Sequence, residues 1–158
     1  MKLVTLLLLL TTLTTFAGVP WPAVPFTEVR AYAWPDDHTT EAVILDGMTL
    51  KAGVINPEGA LLTAPEVKQL IAAITGRHPS YPVAACFNPH NAFVFYDAEK
   101  KPVAFVEVCF SCRGIHAVPK GAEITIDHIA LATIFDAHKL PMGPFPDLQA
   151  FKRDYLQK

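Results

Sequence analysis

Clustered positive charge is what this 158-residue chain most plainly lacks: 13 Lys and Arg stand against 15 Asp and Glu, for a formal charge of −2. The basic pairs Lys100-Lys101 and Lys152-Arg153 read as solvated turn and helix positions. Neutralising phosphates needs a denser cationic surface, so nucleic acid is not an expected partner. Cysteine is scarce as well. Three cysteines cannot make a disulfide-scaffold miniprotein, so packing must do most of the folding. The sequence also has no Gly-rich phosphate loop, nucleophile elbow, zincin helix or EF-hand pattern, and no catalytic residue is assigned.

Long apolar runs are missing except at the start. Lys2 precedes Leu6 to Leu10, a Thr-rich stretch follows, and Thr15 and Ala17 supply small residues at the −3 and −1 positions of a cleavage site. This is the anatomy of a secretory signal peptide, expected over residues 1–17. A membrane anchor needs roughly 20 apolar residues, about twice what is here, so no stable span is expected after cleavage. Cleavage removes one Lys and no acid, taking the charge from −2 to −3. The expected location is the periplasm or the extracellular space. A Pro-rich leader follows over residues 18–25. Residues 26–158 suit a single domain with its own hydrophobic core.

Within that domain, Phe26 to Trp34 alternates polar and apolar residues like an edge strand. Glu41 to Leu45 and Met48 to Val54 read as short strands around Asp46-Gly47, a dipeptide favoured in tight hairpins. Thr63-Ala64-Pro65-Glu66 has the form of a capping box, with Val67, Leu70, Ile71 and Ile74 at helical spacing and Gly76 as a stop. Ala92 to Tyr96 and Val103 to Phe110 flank the charged turn Asp97 to Lys101, predicting a β-hairpin. A strand at Ile115 to Val118, a helix at Glu123 to His138 and a short helix at Asp147 to Leu156 complete the pattern. Strands and helices without βαβ alternation predict an α+β fold: a small antiparallel sheet with a central hairpin, packed by two or three helices.

The cysteines bracket that hairpin. If its turn spans Ala98 to Lys101, paired positions sum to about 199: Phe95 meets Ala104, and Phe93 meets Val106. Continued, this register puts His90 opposite Cys109 and Cys86 within a residue of Cys112. A Cys86–Cys112 disulfide is then the geometric favourite, with Cys86–Cys109 as the alternative if the turn differs by a residue. A second reading is a zinc or copper site, in which Cys86, Cys109 and Cys112 are completed by His90 or His116. A third is thiol redox chemistry at Cys109-Phe110-Ser111-Cys112, although such motifs usually open a helix and this one ends a strand. No cofactor other than such a metal is expected. Glu107 reads as a surface carboxylate in preference to a partly buried, functional one, and Asp127, His128 and Asp136 as solvated positions on a helix. Trp21, Trp34 and the Pro-rich leader could supply a surface for a protein partner in the periplasm or cell envelope.

Cys86-Phe87-Asn88-Pro89-His90, Phe93 to Asp97 and Lys101 to Cys112 together resemble a segment of small, uncharacterised exported bacterial proteins. Those share a Cys-aromatic-x-Pro unit, a Phe-Tyr-Asp hairpin and a Cys-Phe-x-Cys end followed by a helix. The resemblance covers roughly the second half of the mature chain and implies a bacterial, exported setting with no functional assignment. The expectation is therefore a non-enzymatic binding or assembly module with a disulfide-stapled hairpin. A periplasmic metal-binding protein and a thiol-disulfide redox enzyme are the alternatives.

Overall fold

The computed structural model describes residues 21–36, 42–79, 84, 86–121 and 125–157. The expected signal segment and residues 18–20 of the leader lie outside them. Among the described residues the chain folds as α+β, with a five-stranded antiparallel sheet, a two-stranded hairpin and three helices. The strands are β1 (Glu28–Ala33), β2 (Ile44–Leu45), β3 (Thr49–Leu50), β4 (Ala60–Leu61), β5 (Asn91–Tyr96), β6 (Pro102–Cys109) and β7 (Gly114–Val118). The helices are α1 (Ala64–Thr75), α2 (His128–Ala137) and α3 (Leu148–Gln157). No described helix is long and apolar enough to cross a membrane.

The large sheet runs β4-β1-β5-β6-β7. Its centre is the expected hairpin, with Phe95 opposite Ala104 and Phe93 opposite Val106, and a register shift at Tyr96. The sheet is covered on both sides, because its strands carry apolar residues at odd and even positions alike. On one side Val29, Phe93, Phe95 and Val106 pack with Leu70 and Ile74 of α1, Leu131 and Phe135 of α2, and Phe151 of α3. On the other, Tyr32, Trp34, Ala92, Val94 and Phe105 pack with Val43, Ile44, Met48 and Leu50 of the β2–β3 hairpin. The described residues of the first half thus share the core.

Local signals place the elements where expected in several cases. Both the Thr63 amide and its hydroxyl donate to Glu66 at 2.7 Å, closing the capping box at α1. β2 and β3 pair across Asp46-Gly47-Met48, where Gly47 has φ of +70°. Two expectations change. β1 is an interior strand, since the two-residue β4 joins its outer side at Arg30 and Ala31. Only pairing brought in from elsewhere in the chain could reveal that. The second helix begins at His128, capped by Asp127, whose carboxylate accepts from the Ala130 amide at 2.9 Å. That cap, rather than the apolar spacing from Glu123, sets the start.

Candidate functional site

Glu107 lies at the middle of β6 with none of its surface exposed. The register runs Tyr32, Ala92, Glu107 and His116 in one row across four strands. Sheet and hairpin together bury the carboxylate, which is fully hydrogen-bonded. Oε1 accepts the backbone N–H groups of Val43 at 2.7 Å and Ile44 at 2.8 Å. Oε2 lies 2.8 Å from His116 Nδ1. The surface reading of Glu107 is thereby corrected: the β2–β3 hairpin, distant in sequence, supplies both its cover and its donors. A buried carboxylate is tolerable only with such partners.

The imidazole of His116 remains 53% exposed. Nδ1 is the ring nitrogen that meets the carboxylate. The rings of Phe105 and Phe87 stand edge-on to it, at 5.4 and 6.5 Å between centroids. The carboxylate and the aromatic flanks fix the ring's orientation, as second partners do for metal-ligating or proton-accepting histidines. Among the described residues no group of three or more Cys, His, Asp or Glu gathers around such a centre. The proposed ligands Cys86, Cys109, Cys112, His90 and His116 are accordingly not brought together. His90 is buried, with Nε2 at 3.4 Å from the Asp36 carboxylate.

The sulfurs pair differently from either expected bridge. Cys109 bonds Cys112, with 5.7 Å between the Cα atoms, and both are 99% buried at 1% exposure, while Cys86 is free and exposed. The β5–β6 register holds as far as Asn91 opposite Val108, where β5 begins. Upstream, the Asn88-Pro89-His90 segment does not continue the ladder, so Cys86 never meets Cys112 across it. The segment passes close by, for the Ala84 amide donates to the Cys112 carbonyl at 3.1 Å. Meanwhile the β6–β7 turn closes on itself, with Cys109 opposite Gly114.

Sequence reasoning missed what this turn presents. Arg113 adopts φ of +57° and is buried. Its Nη2 donates to the Tyr155 carbonyl at 2.9 Å, and its guanidinium sits 4.5 Å from the Tyr155 ring centroid. The Cys109–Cys112 bridge therefore closes the turn that docks β6 and β7 onto α3. His128 lies in the same cluster, its ring 6.0 Å from that of Tyr155. It is buried, not solvated, and burial pushes its pKa down to about 4, assisted by the nearby Arg113 charge. Asp127 and Asp136 are half-buried, the first as the α2 cap and the second accepting the Leu148 amide at 3.0 Å. Trp21 and Trp34 are buried too, donating to the carbonyls of Pro119 at 2.8 Å and Lys51 at 3.0 Å. Those tryptophans are core residues, not an exposed partner surface.

No protein family, curated protein or solved structure matches this sequence, so its function has to be argued from the geometry of these clusters.

Proposed function

We propose that the chain is an exported, non-enzymatic binding or assembly module of the periplasm or extracellular space, stapled by Cys109–Cys112, with a protein or small-molecule partner. The observation that carries this reading is the buried bridge that closes the turn bringing Arg113 to Tyr155. Disulfides persist in oxidising compartments, and one closing a turn whose Arg113 docks on a helix suits a brace. The signal-like N-terminus supports the same setting. Production from the full-length gene in a bacterial host, followed by fractionation and intact-mass analysis with and without alkylation, tests it. The expected product starts at Gly18, is lighter by two hydrogens and alkylates only at Cys86. Three free thiols in a cytoplasmic fraction would overturn the reading.

A second reading, a zinc- or copper-binding role, is favoured by one observation: Glu107 orients His116, whose imidazole is half exposed. Zinc titration by calorimetry tests it. Stoichiometric binding that disappears in His116→Ala would favour this role, whereas equal heats from both proteins would remove it. Turnover of the Cys109–Cys112 bridge in a disulfide-exchange assay would instead favour redox activity.

A further inference from the structure

The outer edge of β7 is the least guarded feature of the sheet. This strand ends the order β4-β1-β5-β6-β7, and each of its residues keeps some exposure, whereas β1, β5 and β6 bury most of theirs. Hydrogen-bonding sides alternate from residue to residue along a strand. The Trp34 amide donates to the His90 carbonyl at 2.8 Å, so Tyr32 and Ala92, the next pair of that kind in the register, bond as well. The Ala92 backbone groups therefore point to β1, and those of Glu107 and His116 point to each other. That alternation leaves the N–H and C=O groups of Ile115 and Ala117 directed out of the sheet. Among the described residues nothing bonds them.

Sheet edges are ordinarily guarded by shortness, charge, proline or a bulge. The opposite edge follows that rule: β4 has only two residues, and the Asn56 side chain takes the Ala31 carbonyl at 2.9 Å and the Ala33 amide at 3.0 Å. Strand β7 has no such guard. Its sequence Gly-Ile-His-Ala-Val holds no Lys, Arg, Asp, Glu or Pro, and it pairs with β6 without a register break. In reverse order the same sequence complements itself in size. Antiparallel pairing about a two-fold axis at His116 sets Ile115 beside Ala117 of the copy and Gly114 beside Val118 of the copy, large against small each time. The outward groups fall into step: the Ile115 amide meets the Ala117 carbonyl of the copy, and the Ala117 amide meets the Ile115 carbonyl. Ile115 and Ala117 already pack at the margin of the helix-side core, so pairing continues that core from one copy into the next. We propose that the chain self-associates through β7, joining the five-stranded sheets of two copies into one across a two-fold axis. The proposal rests on the assembly reading and names its partner, a second copy of this chain.

Sedimentation equilibrium of the mature full-length chain over a wide concentration range tests it, with Cys86 alkylated so that no intermolecular disulfide can mimic association. A reversible monomer–dimer equilibrium is expected. Amide hydrogen exchange by NMR then locates the contact: the Ile115 and Ala117 amides are expected to gain protection as concentration rises, while those of β4 do not. Ala117→Pro removes one outward amide at an edge position where proline is tolerated, and is expected to weaken association about tenfold. A chain that stays monomeric throughout would overturn the proposal. A dimer whose Ile115 and Ala117 amides exchange as fast as in the monomer would overturn it too, by placing the contact elsewhere. Undiminished association of a folded Ala117→Pro protein would do the same, and should that variant not fold, the wild-type exchange data decide. Reduced cysteines or cytoplasmic retention would instead remove the exported-module reading and leave the association result standing.

Discussion

At the scale of single residues, buried polar groups carry most of what is specific to this protein. Glu107 joins three segments through one carboxylate, holding the Val43 and Ile44 amides and the His116 ring. Glu107→Ala would strand two buried N–H groups, at about 1–3 kcal/mol each, so a loss of about 3 kcal/mol is expected in urea unfolding. Glu107→Gln keeps an acceptor for the amides and loses only the bond to His116, so its loss should be smaller. A Glu107→Ala protein as stable as the wild type would show that the carboxylate braces nothing. His128 sets a different expectation. Its pKa falls from an ordinary 6.5 to about 4 on folding, chiefly through burial, with Arg113 adding to the fall and Asp127 opposing it. Between those pH values the unfolded chain binds a proton that the folded chain does not, so stability declines as pH falls from 6.5 towards 4. The decline amounts to about 3 kcal/mol and ends below the folded pKa. Denaturant titrations at several pH values should show this slope in the wild type, and its persistence in His128→Phe would assign it elsewhere. Glu66 acts in a lower window. Burial raises its pKa, but Thr63 and His138 outweigh burial and bring it below 4.5, so the stability it contributes is lost only as pH falls past that value.

At the scale of elements, two local devices hold the termini of secondary structure, and they differ in reach. The Thr63–Glu66 capping box serves α1 alone, so Thr63→Ala should lower thermal stability by about 1 kcal/mol without loosening other elements. The Cys109–Cys112 bridge acts further away, because its turn carries Arg113 to Tyr155 of α3. Replacing both cysteines by Ser should cost about 2 kcal/mol from loop closure across so short a loop. It should also speed amide hydrogen exchange in α3 more than in α1. Equal protection of α3 in both proteins would uncouple the staple from the helix. The capping box was legible because all its members lie within four residues. The Arg113 contact was not, because its partner stands 42 residues away.

At the scale of the whole molecule, the fold class and the hairpin register were legible in the sequence, and the pairing of sulfurs was not. Alternation and turn residues between Ala92 and Cys109 are local, so Phe95 could be matched to Ala104 without further information. Extending the same register to Cys86 assumed that the strand continued upstream through Asn88-Pro89-His90. The ladder begins instead at Asn91, and the bridge forms within the next turn. Similarly, β1 looked half-exposed until β4 and the 43–54 hairpin were placed beside and over it.

The sequence by itself determined the α+β class, the α1 cap, the β5–β6 pairing and the β2–β3 turn, because each depends on residues near one another along the chain. Only the tertiary structure decided that Glu107 is buried and bonded, that Trp21 and Trp34 are core, that Arg113 docks on α3 and that His128 is buried. Burial is set by what other segments lay over a residue, and a side chain's partners are set by distance in space. Periodicity and spacing carry neither.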